Sequence, residues 1–455
     1  MCWRIKTSLL PTRMSFIQLP DDILINVLSF LSPPEILLLR KTCKQLQALT
    51  LERTIWSNVY RNSGYFLPPG PTASQTINEL ERVLLHAYRW DPLWADLAHL
   101  QKRNPRPLKS DPSHVRNLVL YQGKYLAVGV LDALILYDLH TGNEIFRHDI
   151  PTIPVWLCPQ NHPKGGDANC YIPFASTLLA IDDGPAFELR ICEIDTLGNA
   201  TIHALTDIRL NRGSVVGVGY DFFVTSHGLD NISLLHIPSQ NRYILNAKTP
   251  IRDLTNVIFL PGHVVLILTE YENRVGKKYF ELYRLPDFLV MKTGSCLSPT
   301  HRETISMHFT EASLFSSDTS LDGRGTVWLV ILAGIQLWPL RINLQPDGSM
   351  AFYKPEYDAY RFTEPLAVHA YDFHFTVTST TNGLQGRGIS KYATPKLSWL
   401  KYDVCWGRNG NVTITMSALE NDILPDFLMY DFDAYRGLFC GTSYSETISV
   451  LDLVS

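Results

Sequence analysis

The chain has 455 residues, of which 45% are hydrophobic and 18% are charged, and its formal net charge is −4. This balance is typical of a globular protein, and it excludes a mostly disordered chain and a general electrostatic attraction to nucleic acid or anionic lipid. The length exceeds that of one ordinary hydrophobic core, so we expect two or three domains.

The cysteines and the amino terminus bear on the compartment. The eight cysteines are scattered, and no pair has the C-x-x-C spacing of a zinc or thioredoxin-like motif. The first residues lack the apolar run of a signal peptide, and no later stretch approaches the ~20 apolar residues of a membrane span. We therefore predict a disordered leader over residues 1–15, reduced thiols, an intracellular protein in the cytoplasm or nucleus, and no membrane association.

The first structured region, residues 16–62, is helical by pattern. Asp21 and Asp22 follow Leu19-Pro20 and suit the first turn of a helix, where carboxylates face exposed amides. One predicted helical face carries the apolar residues Ile23, Leu24, Val27, Leu28 and Leu31. Prolines then end this helix, and shorter amphipathic segments follow at residues 36–39, from about residue 42, and at residues 55–60.

The second region, residues 63–112, is predicted to be a linker that contains one helix. Thr76 and Glu79 have the spacing of a capping box, with Thr76 as the N-cap, and apolar residues line one side of the following segment. The helix is expected over about residues 76–90, ending near Asp91-Pro92. Residues 101–112 are basic and rich in proline, which is typical of a domain boundary.

The third region, residues 113–455, consists of short predicted strands separated by tight turns. A rhythm of strand, turn and strand returns every 40 to 60 residues or so, which is typical of propeller blades with variable loops. The stretch 365–410 is left open as another blade or an insertion. We expect the first strand, Val115–Tyr121, to pair with the last, Ile448–Val454, and so to close the ring. The predicted fold is thus a multidomain α + β protein that ends in an all-β propeller of six to eight blades, with seven favoured.

The first region resembles the F-box family. The resembling residues are Leu19-Pro20-Asp21-Asp22-Ile23-Leu24, Val27-Leu28, Leu31-Ser32, Pro34-Glu35-Ile36-Leu37, Leu39-Arg40, Thr42-Cys43-Lys44 and Trp56. Leu46 stands where the family usually has an aromatic residue. Residues 80–94, with their helix and Trp94, look like the linker of fungal F-box proteins that carry a degenerate carboxy-terminal propeller.

The resemblance implies an SCF-type ubiquitin ligase subunit. The F-box would bind a Skp-family adaptor and, through it, cullin and RING subunits, while the propeller would hold an unknown target protein. The residues that we predict for the adaptor contact are Leu19, Pro20, Ile23, Leu28, Leu31, Leu37 and Cys43. We expect Leu24, Val27 and Leu39 to pack inside the helical unit instead.

The sequence contains no motif that predicts catalysis, a cofactor or a metal. It lacks a phosphate-binding loop, a G-x-S-x-G elbow and an H-E-x-x-H pair. Residues 161–167 and 182–184 are interpreted as turns. If His369 and His374 lie on one strand, their odd spacing directs the two side chains to opposite faces, so they could not share a metal. Asp138 resembles the strand-end aspartate that orders a turn in repeat propellers. The tryptophans are core or binding-face residues, and the sequence leaves this open for Trp156, Trp328, Trp338, Trp399 and Trp406.

Three functions remain open at this point. The leading prediction is a non-enzymatic substrate-recruiting subunit, without nucleic acid or membrane partners. The second is an F-box scaffold that binds the adaptor but works outside a ligase. The third is a propeller enzyme, a hydrolase or lyase, whose helices are incidental; it would require clustered carboxylates or histidines in the ring.

Overall fold

The structure is a computed structural model that describes most of the chain. It describes residues 19–68, 70–71, 75–95, 106–108, 114–121, 123–150, 156–157, 170–178, 186–195, 199–211, 215–219, 221–227, 231–248, 253–260, 262–272, 275–286, 291–307, 313–316, 326–333, 336–345, 347, 349–353, 360–361, 373–380, 383–391, 397–406, 412–420, 429–442 and 447–453. The predicted leader at 1–15, the turns at 161–167 and 182–184, and His369 lie outside the described residues.

Before the sheets, the described residues form five helices. They are α1 (Asp21–Leu28), α2 (Pro33–Leu39), α3 (Lys44–Leu49), α4 (Arg53–Asn62) and α5 (Ile77–Ala95). Asp21 and Asp22 lie in the first turn of α1, as expected. At the start of α2, the Ser32 amide donates a hydrogen bond to the Glu35 carboxylate at 2.8 Å, so a serine followed three residues later by a glutamate sets where that helix begins.

The helices share one hydrophobic core. Its centre is fully buried and contains Leu24, Leu28, Ile36 and Trp56, and Leu46 lies in it at 4% exposure. Leu46 is thus buried in the helical core. The first half of α5 belongs to the same core, because Leu80, Leu84 and Ala87 pack against these helices.

Helix α5 departs from the prediction at its carboxyl end. Thr76 and Glu79 form the expected capping box, with the Thr76 amide donating to the Glu79 carboxylate at 2.8 Å. The helix does not stop near Pro92 but continues through it to Ala95. Trp90 and Trp94, one turn apart, are 0% and 2% exposed, and their burial offsets the backbone hydrogen bond that Pro92 cannot make.

The rest of the described chain forms short strands, which are antiparallel within each hairpin. In chain order they are β1 (Arg106–Pro107), β2 (Val115–Tyr121), β3 (Tyr125–Val130), β4 (Ala133–Asp138), β5 (Asn143–Asp149), β6 (Trp156–Leu157), β7 (Cys170–Leu178), β8 (Ala186–Ile194), β9 (Ala200–Asn211), β10 (Val215–Gly219), β11 (Phe222–His227), β12 (Asn231–His236), β13 (Asn241–Leu245), β14 (Asp253–Leu260), β15 (His263–Glu272), β16 (Val275–Arg284), β17 (Cys296–Leu297), β18 (His301–Met307), β19 (Ser313–Ser316), β20 (Thr326–Ala333), β21 (Gln336–Leu344), β22 (Met350–Tyr353), β23 (Tyr360–Arg361), β24 (Phe373–Thr380), β25 (Gly383–Lys391), β26 (Leu397–Trp406), β27 (Val412–Glu420), β28 (Met429–Asp433), β29 (Leu438–Thr442) and β30 (Ile448–Asp452).

These strands form a propeller-like succession of sheets. We number the sheets by chain order: sheet 1 (β2–β5), sheet 2 (β6–β9), sheet 3 (β10–β13 with β17), sheet 4 (β14–β16 with β18), sheet 5 (β19–β23), sheet 6 (β24–β27) and sheet 7 (β28–β30 with β1). Five of them have the four strands of a blade, which is fewer than the six to eight blades expected, whereas sheets 3 and 5 each carry a fifth strand. The stretch left open at 365–410 contributes strands to sheet 6.

Neighbouring sheets bury apolar residues between them, as a propeller requires. One core joins sheets 1 and 2 and contains Leu136 and Phe174; another joins sheets 3 and 4 and contains Leu234 and Phe259. A third joins sheets 4 and 5 through Phe280. The sheets joined by these cores therefore pack face to face and bury apolar surface against one another.

The closure of the ring differs from the prediction. The last strand, β30, does not pair with β2; it pairs with β29 on one side and with β1 on the other, where Arg106 lies opposite Val450. Strand β2 is the first strand of its own sheet, and it contacts sheet 7, where the Leu120 backbone amide donates to the Asp431 carboxylate at 2.6 Å. The closing strand thus comes from the segment predicted to be a linker.

Candidate functional site

Helix α1 and the turn after it expose a stripe of apolar side chains. Ile23, Val27 and Phe30 are spaced by four and three residues, so they share one helical face, and they are 44%, 39% and 76% exposed. On α2, Leu38 is 63% exposed. We call Ile23, Val27, Phe30 and Leu38 the exposed apolar face. Such a concentration of exposed large apolar side chains is typical of a protein-binding surface.

The structure divides the residues predicted for the adaptor contact into three groups. Pro20 and Ile23 are exposed, as a contact requires. The half-buried ones pack partly against the helical core, and these are Leu19, Leu31, Leu37 and Cys43. Leu28 is 0% exposed and lies in that core, so it presents no surface for a contact in this structure.

Among the residues expected to pack inward, Leu24 does so and Val27 does not. Leu24 is 0% exposed, Leu39 is half-buried, and Val27 belongs to the exposed apolar face. Phe30 and Leu38 were absent from the predicted contact set. Phe30 continues the spacing of Ile23 and Val27 by one further turn, and this spacing is the sequence signal that could have placed Phe30 on the same face.

Pro20 sets the entry to this surface. The Pro20 carbonyl accepts hydrogen bonds from the Ile23 amide at 3.0 Å and the Leu24 amide at 3.1 Å, so it caps α1. Because the pyrrolidine ring fixes φ, the chain enters the helix in one direction. The Gln45 side chain donates to Asp21 at 3.5 Å, which ties the start of α1 to α3.

Arg40 joins the helices of residues 16–62 to α5. Its Nη2 atom donates to the Glu81 carboxylate at 2.8 Å and to the Thr50 carbonyl at 3.1 Å. The guanidinium also lies 5.7 Å from the centre of the Trp56 ring. Since Glu81 belongs to α5, the exposed apolar face is held by the same contacts that position the long helix.

The second half of α5 packs against the propeller. Trp90 and Trp94 share a core with Trp399 of sheet 6 and Phe432 of sheet 7. The Trp90 Nε1–H donates to the Ala434 carbonyl at 2.8 Å. Trp399, whose role was open, is therefore a core residue. The side chains of Trp156, Trp328, Trp338 and Trp406 lie outside the described residues.

The described part of the propeller shows no grouping of three or more histidine, cysteine, aspartate or glutamate side chains fit to hold a metal ion. Asp138 orders the turn between β4 and β5, as expected, because its carboxylate accepts hydrogen bonds from the Thr141 amide at 2.8 Å and the Thr141 hydroxyl at 3.2 Å. Burial alone raises the pKa of Asp138, but these hydrogen bonds outweigh burial and lower it. Burial raises the pKa of the Cys192 thiol to about 12 and so keeps this thiol protonated.

Comparisons with known proteins identify the amino-terminal region. Residues 16–62 match the F-box-like family. No curated protein sequence matches the chain. None of the described helices has both the length and the hydrophobicity needed to cross a membrane.

The solved structures that match this chain are distant from it in sequence. The β-propeller domain of Cps50 (Swd1) from Myceliophteria thermophila is 13% identical with a TM-score of 0.40, and the match covers 74% of this chain and 99% of that one. Hsv2 from Kluyvelomyces marxianus is 12% identical with a TM-score of 0.40, and the match covers 70% and 88%. Likenesses of this size support no conclusion about function. The family match and the order of the sheets together assign the architecture: the chain carries an F-box-like domain at residues 16–62, followed by a β-propeller.

Proposed function

We propose that this protein is a substrate-recruiting F-box subunit of an SCF-type cullin-RING ubiquitin ligase. Its helices would bind a Skp-family adaptor, which connects to cullin and RING subunits, and its propeller would bind a target protein. The observation that carries the proposal is the exposed apolar face on residues that match the F-box-like family. The protein would act inside the cell and would not itself perform covalent chemistry.

The adaptor contact is physically reasonable at this face. Phe30 and Leu38 are the most exposed large apolar side chains of the described residues, so burial in a partner would remove considerable apolar surface from water. Large apolar side chains at the centre of an interface supply most of its binding energy. Pro20 and Ile23, both predicted from the sequence, extend the surface at the start of α1.

We also propose that the sheets form one closed ring. Sheets 3 and 5 keep four successive antiparallel strands, and their fifth strands, β17 and β23, are two residues long. Sheet 7 combines the last three strands of the chain with β1, which is how a ring is closed from both ends of a domain. The target would bind on the loops at one end of this ring.

The experiment that tests the adaptor contact compares two isoleucines of similar exposure. Ile23 is 44% exposed on α1, and Ile145 is 40% exposed on β5 of the propeller. Ile23→Asp should abolish co-purification with a Skp-family adaptor, because the charge would be buried in an apolar interface. Ile145→Asp should leave it unchanged. Equal adaptor recovery with both variants would refute the proposed surface.

A second measurement separates a ligase subunit from a scaffold. Truncating an aromatic anchor such as Phe30 costs about 2 kcal/mol or more, which corresponds to a loss of affinity of at least about 30-fold. Phe30→Ala should therefore lower recovery of the adaptor and of cullin together. Cullin that never co-purifies with the unmodified chain and adaptor would favour a scaffold outside the ligase.

A further inference from the structure

Arg387 is a buried cation at the contact between the propeller and the preceding helices. It lies in β25 of sheet 6 and is 1% exposed. Its Nη1 atom donates to the Asp403 carboxylate at 2.6 Å and to the Gly386 carbonyl at 2.9 Å. Both acceptors belong to sheet 6, so the propeller alone fixes the direction in which the guanidinium points.

The faces of this guanidinium meet aromatic rings from outside the propeller. The Arg387 Cζ atom lies 5.3 Å from the centre of the Phe66 ring and 5.9 Å from that of Trp94. Phe66 follows α4, and Trp94 lies in α5. A cation stacked on aromatic faces at a buried site is held more strongly than at the surface.

Neighbouring residues of β25 make contacts in the same direction. Alternate residues of a strand share a face, and Gln385, Arg387 and Ile389 are such a set. The Gln385 Nε2 atom donates to the Gly64 carbonyl at 3.1 Å, and Ile389 packs in the core that contains Trp94. One face of β25 thus receives both the chain after α4 and the end of α5.

We propose that Arg387 is a positioning residue that fixes the F-box-like domain relative to the propeller. Asp403 would act through it by holding the guanidinium between Phe66 and Trp94. The value of this placement for ubiquitin transfer rests on the proposed function, whereas the placement itself does not. Lysine would not replace Arg387, because only a planar guanidinium combines stacking with a directed hydrogen bond to Asp403.

Other polar groups at this contact do not take the same role. Asp91 of α5 adds a longer ion pair, because its Oδ1 atom lies 3.9 Å from Arg387 Nη2, beyond hydrogen-bonding distance. The Trp94 Nε1–H has no acceptor among the described residues. The Arg387–Asp403 pair and the two rings therefore add a directed contact to the Trp90–Ala434 hydrogen bond and the pairing of β1 with β30, which also hold the helices on the propeller.

Arg302 provides a matched control within the propeller. Its guanidinium lies 4.5 Å from the centre of the Tyr279 ring and 3.8 Å from the Glu281 carboxylate. All three residues belong to sheet 4, and none lies in the core that contains α5. Arg302→Met thus removes a cation–ring contact and an ion pair, at a site where the arginine is 35% exposed, without touching the contact between helices and propeller.

The test measures the distance between two spin labels on the full-length chain. The labels are attached to ketone amino acids that replace Lys41, after α2, and Glu144, in β5, both of which are exposed. The unmodified chain should give one narrow distance distribution. Arg387→Met and Arg387→Lys should lose it and give a broad or divided one, whereas Arg302→Met should keep it. A narrow distribution in Arg387→Met would overturn the proposal.

Two further measurements keep the outcome unambiguous. If Arg387→Met disrupts the sheets, as seen by circular dichroism, Phe66→Leu decides, because Phe66 lies outside the propeller; an unchanged distribution in that variant would overturn the proposal. Adaptor binding is measured in parallel and should be equal in the unmodified chain and in Arg387→Met. A failure of adaptor binding in all chains would refute the proposed function and leave the distance result standing.

Discussion

The turn between β28 and β29 gives the sharpest prediction about how α5 is attached. Gly437 ends this turn with a φ of +60°, and a Cβ atom built on it would lie 2.8 Å from Cε2 and Cζ2 of Trp90. Trp90 has no room to retreat, because it is 0% exposed and its Nε1–H is bound to the Ala434 carbonyl. Gly437→Ala should therefore disturb the docking of α5 as well as the turn.

The size of the effect follows from two separate costs. A non-glycine residue in the left-handed conformation costs about 1–2 kcal/mol. An extra methyl group forced into a packed core costs a further ~1–3 kcal/mol. We expect Gly437→Ala to lower the free energy of unfolding by about 2–5 kcal/mol, the sum of these two costs.

Gly142 provides the control that separates the two costs. Its φ is +69°, and a Cβ atom there would meet no atom within 4 Å. Gly142→Ala should therefore show only the backbone cost of about 1–2 kcal/mol. Urea unfolding of both variants, compared at an unchanged m-value, gives the difference. If Gly437→Ala costs no more than Gly142→Ala, the close packing of Trp90 on this turn is refuted.

Three more predictions test other parts of the architecture. Deleting residues 448–455 removes β30 and leaves β1 and β29 without their shared partner, so the propeller should lose cooperative thermal unfolding. An unchanged melting curve by circular dichroism would contradict the closure of the ring through β30. Burial raises the pKa of Asp91, so folding disfavours its ionised form. The resulting loss of folding stability is fully present above the folded pKa and disappears as the pH falls below the unfolded pKa of about 3.9. Asp91→Asn should thus be more stable than the unmodified chain at pH 7 and lose this advantage in acid; equal urea midpoints at both pH values would refute it. Thr76→Ala removes the cap of α5 and should lower stability by about 1 kcal/mol, measured by the urea midpoint.

The sequence predicted the helices well but not which face of α1 is buried. Ile23 and Val27 form one apolar stripe, and Leu24 and Leu28 form the adjacent one, so helical spacing alone fits either choice. The structure buries Leu24 and Leu28 against the other helices. The choice depends on where α4 packs, and that information lies in tertiary contacts rather than in the period of α1.

The carboxyl end of α5 was missed for a similar reason. A proline inside a helical pattern usually marks its end, which is why the boundary was placed near Pro92. The local penalty is overcome by the burial of Trp90 and Trp94 against sheets 6 and 7, which lie about 300 residues further along the chain. No local pattern contains that contribution.

The extended end of α5 and the pairing of β1 with β30, both of which differ from the prediction, lie in the same region of the molecule. Helix α5 docks on sheets 6 and 7, and β1, which follows it in sequence, adds to the edge of sheet 7. The chain therefore passes the last two sheets before it begins sheet 1 at β2. An attachment at both α5 and β1 resists rotation of the helices better than a single linker would, because two separated contacts fix an orientation and one does not. If the proposed function is correct, the adaptor would be held on the side of sheets 6 and 7, and target-binding residues are best sought on the loops of sheets 2 to 5.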